Sequence, residues 1–582
     1  MRGVPFGVAL VAIGLYFVGL GAAPFLDPPE GFHAEVTREM ALGRDWIEPR
    51  INGVPYFETP PLLYWLLGAS FGVTGITPFA ARFWTALAAV GCAAVTARLG
   101  VVLGGPRLGL LAGLMVAANL GMFVHGRVVS AEVPFVFCVT LAWAGFALAY
   151  VGDRRRGLAI FYAGLGLAML TKGFLAAAGP GLIVAVFFWL TRERPVAPWV
   201  PGWGVLVAAV VALPWYLVME ARSPGFLGHT LIDSHLYGLT RQRALSDENV
   251  PLGSLEFLVV TFLAFLPWAL ALPWALARAF QRRWDSAPAR LWLVFALWSV
   301  AVLGFFTLVP FRLPYSALPA FPAFALMVAR AWDEAIERAP GAPSPRALLV
   351  PVLGLFTLIT TGFAAAAGGL MPVPGDALSS LDVATRNLTA RGQQAPVAPL
   401  EAWAPLFYSG AAIFALATLV LAVAAWRRAV ALGVGVALAA TIAFLPAVAA
   451  NGMTQFARSR SVRPLAVALL QRVRPGDLVA HEGAIASSAS VLLVVGDPIR
   501  VVNGLYANLA RGAASPEGRD RFWDSPRFEQ AWSAPGRHFL ISAVDPARSV
   551  VRALPPASIH LIAQAGGRRL YSNVADRGLE DR

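Results

Sequence analysis

"GLAIFYAGLGLAMLTKGFLAAAGPGLIVAVFFWL", residues 157–190, is apolar from end to end except for Lys172. Only a helix or a closed barrel satisfies its own backbone inside a bilayer, and a spanning helix takes about 20 apolar residues. The stretch divides into two helix-length runs, 157–171 and 174–190, with almost no loop between them. It therefore predicts a tight helical hairpin in a membrane with one charge at its turn. Lys172 is the only lysine among 46 basic residues; the rest are arginine. Taken alone, it reads either as a snorkelling anchor or as a functional cation.

Similar runs recur from residue 4 to about 450. Thirteen candidate spans fall at 4–23, 78–98, 108–125, 132–151, 157–171, 174–190, 201–219, 254–277, 290–309, 314–331, 347–370, 407–425 and 429–450. The chain of 582 residues is 58% hydrophobic and 14% charged, where a soluble protein carries about 25% charged residues. This is an all-α polytopic membrane bundle. Its net charge of +13 would suit nucleic acid, but the arginines lie in short loops between apolar runs, which is an orientation signal. Loops holding Arg2, Arg98 and Arg107, Arg154 to Arg156, Arg192 and Arg194, Arg278, Arg282, Arg283 and Arg290, Arg330, Arg338 and Arg346, and Arg427 and Arg428 alternate strictly with the other set of loops. They are predicted cytoplasmic, as is the N-terminus. The first run resembles a signal peptide, but its length and the following spans predict a retained first helix. Cys92 and Cys138 lie in apolar runs and offer neither a disulfide framework nor a CxxC metal site.

The opposite, outer face receives loops 24–77, 220–253 and 371–406. It also receives a tail from 451, so the domains are expected at 1–450 and 451–582. "VRPLAVALLQRVRPGDLVAHE" predicts a helix, a turn and a strand. "SVLLVVGD", "IRVVNG", "RHFLISA" and "IHLIAQAGGRRLYSN" read as short strands. The tail is thus a small soluble α/β domain. Without a glycine-rich phosphate loop or a triad motif, it is expected to cover the site or dock an acceptor.

Chemistry concentrates in the first outer loop, "LDPPEGFHAEVTREMALGRDWIEPRINGVPYFETPPLLYW", residues 26–65. It predicts an amphipathic helix closed by Gly43, with Asp27 and Glu30 just ahead of it. A turn, an aromatic cluster around Glu58, and two prolines opening an apolar helix follow. Tyr56, Tyr64 and Trp65 suggest that this helix lies in the membrane interface. "RVVSAEVPF" places Glu132 at the start of a span. The second outer loop supplies His229, Asp233, His235, Arg241 and Arg243, and "VPFRLPYSALPAFP" places Arg312 at a membrane boundary. Cations at a membrane surface suit a phosphate, and carboxylates suit activation of a hydroxyl. Each group has a plainer reading. Arg312 could snorkel, the carboxylates could solvate loops, and His235 could be a hydrogen-bonded loop histidine. Glu58 with His235 could bind a divalent metal.

Four segments carry a family resemblance: "EGFHAEVTREMALGRDWIEPRINGVPYFETPPLLYW", "LTKGFLA", "LPWYLVMEARSPGF…DSHL" and "RLPYSALPAFP". Over residues 1 to about 450 the chain resembles the GT-C membrane glycosyltransferases that use polyprenyl-phosphate sugars. Its nearest likeness is to the aminoarabinose transferases and the protein O-mannosyltransferase-like proteins of bacteria. The resemblance implies a bundle of about 13 spans in the bacterial inner membrane, with its site at the periplasmic face. A sugar would pass with inversion from undecaprenyl or a similar lipid phosphate to the hydroxyl of a membrane-associated glycolipid or protein. Lys172 matches the phosphate-binding lysine, with Arg241 or Arg312 beside it. His33, Glu35, Tyr56, Glu132 and Tyr315 are expected to contact substrate, and Glu58 and His235 to hold a metal ion if one is present. The family's Asp-Glu pair reads Pro29-Glu30 here, so the base is expected at Glu30, with Asp27 next. "YFEKPPL" of the family reads "YFETPPL", with Thr59 in place of the basic residue. A lipid-linked glycan transporter is the rival class. Transporters show internal repeats and midplane charges, whereas no repeat is visible here and the charges gather at one face. A member that binds the lipid-linked sugar without transferring it is the other alternative.

Overall fold

The computed structural model describes residues 3–192, 194–281, 285–370, 382–390, 396 and 398–575. Residues 371–381, 391–395 and 397 of the expected loop 371–406 lie outside the described residues, as do Arg2, Arg282 and Arg283. Among the described residues, seven helical segments are long and apolar enough to cross a membrane: Pro78–Gly104, Glu132–Val151, Ala197–Arg222, Ala289–Leu308, Pro345–Ala367, Leu400–Arg427 and Val430–Arg460. Each coincides with an expected span. The chain is a multi-pass membrane protein, but a count of thirteen is not reached by this measure.

The remaining expected spans differ for local reasons. The span at 254–277 is two helices, Ser254–Ala264 and Trp268–Phe280, bent by 113°. Pro267 stands at the break, where it can supply no amide hydrogen. The run 108–125 is interrupted at Asn119. Its side chain accepts from the Met122 amide at 2.9 Å and donates to the Met115 and Val116 carbonyls at 3.0 and 2.8 Å. The span expected at 314–331 starts later, as the helix Phe321–Glu337. The first helix ends at Phe17, short of residue 23. Two buried arginines collect the carbonyls of its last turn and of the residues beyond it. Arg127 takes those of Leu15, Tyr16 and Val18, and Arg82 those of Leu20, Ala23 and Pro24.

The helices Glu132–Val151 and Arg154–Lys172 form a tight hairpin. Asp153 begins the second arm by accepting from the Arg156 amide at 3.0 Å. Close packing depends on glycine. A Cβ at Gly145 would lie 2.5 Å from the Phe161 nitrogen, at Gly157 2.3 Å from that of Ala149, and at Gly164 2.9 Å from that of Ala142. Small residues let membrane helices touch backbone to backbone. The arms have 20 and 19 residues, each roughly 30 Å long. Equal arms return the chain to its starting level, so Glu132 and Lys172 share one end.

The C-terminal part is α/β. Its strands β3 (Leu478–Glu482), β4 (Arg500–Val502), β5 (Phe522–Trp523), β6 (His538–Ser542), β7 (His560–Ala565) and β8 (Arg568–Ser572) form one sheet in the order β5-β4-β3-β6-β8-β7. The first four in that order run parallel, and β8 and β7 are antiparallel. "SVLLVVGD" is a helix, Ser490–Val495, not a strand, and Gly496 ends it at φ 80°. A short apolar run suits either state, and here it packs as a helix against the first outer helix. The helical run Val430–Arg460 continues past residue 450 before this unit begins.

The unit does not stand apart. Phe32, Val36, Met40, Ile51, Tyr56 and Tyr64 of the first outer loop share a core with Val462, Leu465, Leu469, Leu492 and Ile541. A fully buried large side chain contributes about 2 kcal/mol, so this shared core fixes the loop beneath the sheet.

Candidate active site

The first outer loop is built as expected in outline. Glu30–Gly43 is a helix, a short hairpin of β1 (Arg50–Ile51) and β2 (Val54–Pro55) turns at Asn52-Gly53, and Leu62–Thr74 is the apolar helix after the two prolines. The helix is not closed by Gly43. Its left-handed residue is Arg44, at φ 51°, whose amide reaches the Ala41 carbonyl.

Lys172 ends its helix and Gly173 turns the chain at φ 85°. Its ammonium pairs with Glu132 Oε1. The low polarity around His33, then the charge of Lys172, push that imidazole down to about 3, so it is neutral. His33 Nδ1 lies 3.2 Å from the Tyr64 hydroxyl, and the Tyr56 hydroxyl 3.1 Å from Thr59 Oγ1. Burial, then neighbouring Glu132 and Tyr56, hold the Tyr315 phenol well above its ordinary range. Lys172, Glu132, His33, Tyr56 and Tyr315 thus come together as one polar, aromatic-lined group. Five of the expected residues meet here.

A second cluster adjoins it. Burial raises the Glu58 carboxyl, but the hydrogen bond from His229 and the charge of Arg243 outweigh burial and hold it below the ordinary range. Arg243 lies 2.8 Å from Glu58 Oε2 and 3.5 Å from Asp233 Oδ2. Ser234 Oγ donates to Glu58 at 3.1 Å. One ligand atom from each of Glu58, His229 and Asp233 lies within 4.8 Å of the others. The expected partner of Glu58, His235, is turned away. Residues His229–Tyr237 form a wide π-type turn that sends His229 and Asp233 toward Glu58. His235 Nδ1 instead meets the Thr230 carbonyl, and its Nε2 lies 3.4 Å from the Lys172 carbonyl.

Four expectations are corrected by their surroundings. Glu30 is fully buried. It takes both forks of Arg82, at 2.6 and 2.7 Å, and the amides of Leu26 and Val129, at 2.9 and 3.0 Å. A carboxylate with four such donors holds the loop in place. Asp27, also fully buried, is bonded by the amide and hydroxyl of Ser490 from the C-terminal unit. Glu35 is occupied by Arg38 at 2.6 and 2.7 Å. Arg312 is a staple, its Nε and Nη1 spent on Leu252, Phe306 and Thr307 carbonyls and on Ser254 Oγ. Arg241 is exposed at φ 57°, with its charge felt at Asp247.

The C-terminal unit holds both outer loops. Asn52 exchanges hydrogen bonds with Ile499 at 2.8 and 2.7 Å. Arg511 donates to the Pro224 carbonyl at 2.8 Å and lies 5.3 Å from the centre of the Phe57 ring, next to Glu58. Asn508 reaches Glu248 at 3.1 Å. Nothing in the primary structure announced these contacts. Arg243 and His229 were visible in the second loop, but their pairing with Glu58 depends on the π-type turn.

The bent and broken helices, the outer loop helix and the α/β cap define the class: this is a membrane protein of GT-C fold. More narrowly, its fold is that of ArnT. ArnT from Cupriavidus metallidurans superposes with a TM-score of 0.76 over 97% of both chains at 22% identity. The form of that protein bound to undecaprenyl phosphate superposes with the same score over 99% of both. Residues 29–229 match the family model of dolichyl-phosphate-mannose-protein mannosyltransferases. The undecaprenyl phosphate-alpha-4-amino-4-deoxy-L-arabinose arabinosyl transferase of Pseudomonas paraeruginosa (strain DSM 24068 / PA7) is 30% identical over 348 residues, 57% of this chain and 60% of that protein. The enzyme of the same name from Edwardsiella ictaluri (strain 93-146) is 29% identical over 56% of this chain and 58% of its own. The chain therefore spans about 60% of the length of the curated relatives it matches.

Proposed function

We propose that this protein transfers a sugar from a polyprenyl phosphate to a membrane-associated acceptor, at the periplasmic face of the bacterial inner membrane. The observation that carries this reading is the position of Lys172. The chain's only lysine faces Glu132, His33, Tyr56 and Tyr315, at the end of the bundle roofed by the C-terminal unit. The relatives' names support undecaprenyl phosphate as carrier and an aminoarabinose-type pentose rather than a hexose as cargo. The arginine-rich loops support a cytoplasmic N-terminus and a periplasmic C-terminal unit.

In this reading the lipid tail lies in the bilayer beside the Leu62–Thr74 helix. Lys172, with exposed Arg241, offsets charge growing on the leaving phosphate, electrostatic help placed where charge develops. Tyr56, Tyr315 and neutral His33 bind the sugar. The acceptor is the hydroxyl of a glycolipid or a protein. Glu30 and Asp27 act by holding the first loop around the donor.

A divalent ion would be held by Glu58, His229 and Asp233, whose one imidazole and two carboxylates suit such an ion. Bound there it would add positive charge to the donor side. Arg243 already balances much of this cluster's negative charge, 2.8 Å from Glu58 Oε2 and 3.5 Å from Asp233 Oδ2.

The test is transfer of labelled sugar from purified undecaprenyl-phosphate-aminoarabinose to a bacterial glycolipid fraction in vesicles. Wild type transfers label and Lys172→Gln does not. Donor binding without transfer in wild type would overturn the reading in favour of a binding protein.

A further inference from the structure

The pair between Lys172 and Glu132 raises a question that the proposed function leaves open. A cation meant for a lipid phosphate is already neutralised by a carboxylate of the same chain. This pair is not sealed. The Lys172 side chain is 37% exposed and that of Glu132 12%. Part-exposed pairs are weakly held and exchange readily. It is also single-stranded: Glu132 meets Lys172 through Oε1, and among the described residues no other side chain bonds Glu132. The other carboxylates nearby are each engaged by several donors. Glu30 has Arg82 and two amides; Glu58 has Arg243, His229 and Ser234.

We infer that Glu132 is the resident anion of the donor site, yielding Lys172 to the incoming phosphate and reclaiming it as the lipid phosphate departs. The inference rests on the proposed phosphate role of Lys172. Charge accounting gives it direction. The donor is a phosphodiester with one negative charge. On transfer, the acceptor oxygen bonds to the anomeric carbon and the carbon–oxygen bond to phosphate breaks. The electron pair stays on phosphate, and the acceptor proton is released to water. The product is a phosphate monoester carrying up to two charges. A fixed carboxylate repels two charges more than one, so Glu132 weakens the product more than the donor. The hairpin keeps it there, because both residues sit at the ends of arms packed through glycine.

The expected result is specific in sign. Glu132→Gln binds undecaprenyl phosphate about tenfold more tightly than wild type, and Glu132→Asp stays close to wild type. Lys172→Gln binds it at least tenfold more weakly, and in that background Glu132→Gln has little further effect. Transfer by Glu132→Gln shows stronger inhibition by added undecaprenyl phosphate. Equilibrium binding of undecaprenyl phosphate to the full-length protein in detergent measures the first four, with thermal unfolding confirming that each variant is folded. Unchanged or weaker binding by Glu132→Gln, with loss in Lys172→Gln, overturns the inference and leaves the phosphate site standing. Unchanged binding by Lys172→Gln overturns both. If Glu132→Gln does not fold, Glu132→Ala takes its place: tighter binding than wild type supports the inference, and unchanged or weaker binding overturns it.

Discussion

Lys172 and Glu132 are 40 residues apart and meet because they end the two arms of one hairpin. The place of this cation is set by helix length and glycine packing, not by a loop. Removing it should therefore cost chemistry more than folding. Lys172→Gln is expected to lower the rate of sugar transfer at least a hundredfold, the usual loss when one charged or hydrogen-bonding group is taken from a developing oxyanion. Lys172→Arg should recover part of it, because the guanidinium keeps the charge but not the compact shape. Initial rates with a labelled polyprenyl-phosphate sugar check both.

Glu30 should behave in the opposite way. It is fully buried against Arg82 and two backbone amides. Glu30→Gln leaves a buried arginine without its counter-charge, a loss of about 3–5 kcal/mol. A large fall in melting temperature is expected, with transfer per folded molecule changing far less. A stable variant that has lost transfer would instead make Glu30 the base.

Much of the fold was legible in the amino-acid sequence. Seven spans, the outer helix, the Asn52-Gly53 turn and the cap's α/β character follow from hydropathy, periodicity and turn chemistry. The equal arms that bring Glu132 to Lys172 were not, because the second was expected at 157–171, shorter than 132–151, and it begins at Arg154. Nor was the engagement of the carboxylates. Glu30 reads as an exposed loop acid until Arg82, 52 residues on, closes over it. Asp27 finds its partner at Ser490, 463 residues away. Such bonds depend on tertiary packing, which sequence spacing does not encode. The same holds for His229 and His235, since the π-type turn exchanges the faces that an ordinary helix would give them.

Asp27 links the first loop to the cap and should make their union pH-sensitive. Burial pushes its carboxyl up to about 6, against the bonds from Ser490 that pull the other way. A folded value above the ordinary one near 3.8 means that the folded state holds the proton more tightly. The stabilisation is full below about pH 4 and is lost as pH rises through 6, a difference on the order of 3 kcal/mol. Melting temperature should thus fall between pH 5 and 7 more steeply in wild type than in Asp27→Asn. Equal slopes would remove Asp27 from the account.

Gly31 should be the steric key of the same contact. A Cβ there would come within 2.3 Å of Asp27 Oδ1 and 2.5 Å of the Ser490 nitrogen. Neither neighbour is the end of a flexible chain. Gly31→Ala is expected to loosen the cap, seen as faster limited proteolysis near residues 450–500 and a destabilisation of about 1–3 kcal/mol. Unchanged proteolysis would show that the contact gives way without cost.

Metal binding discriminates between the two histidines of the second outer loop. Glu58, His229 and Asp233 can offer ligand atoms to one ion, while His235 faces the Lys172 carbonyl. An ion that binds only the folded protein stabilises it by RT ln(1 + [L]/Kd), about 2.7 kcal/mol at a hundredfold excess over Kd. Zinc or manganese added to chelator-treated protein should therefore raise the melting temperature of wild type and of His235→Ala, and not of His229→Ala or Asp233→Asn. Arg243→Gln should strengthen the response, because it removes the cation that shares these carboxylates at 2.8 and 3.5 Å. A response lost in His235→Ala and kept in His229→Ala would return the site to the pairing expected from the sequence. No response in wild type would leave Arg243 as the cluster's only cation and make Glu58 a structural partner of the second outer loop.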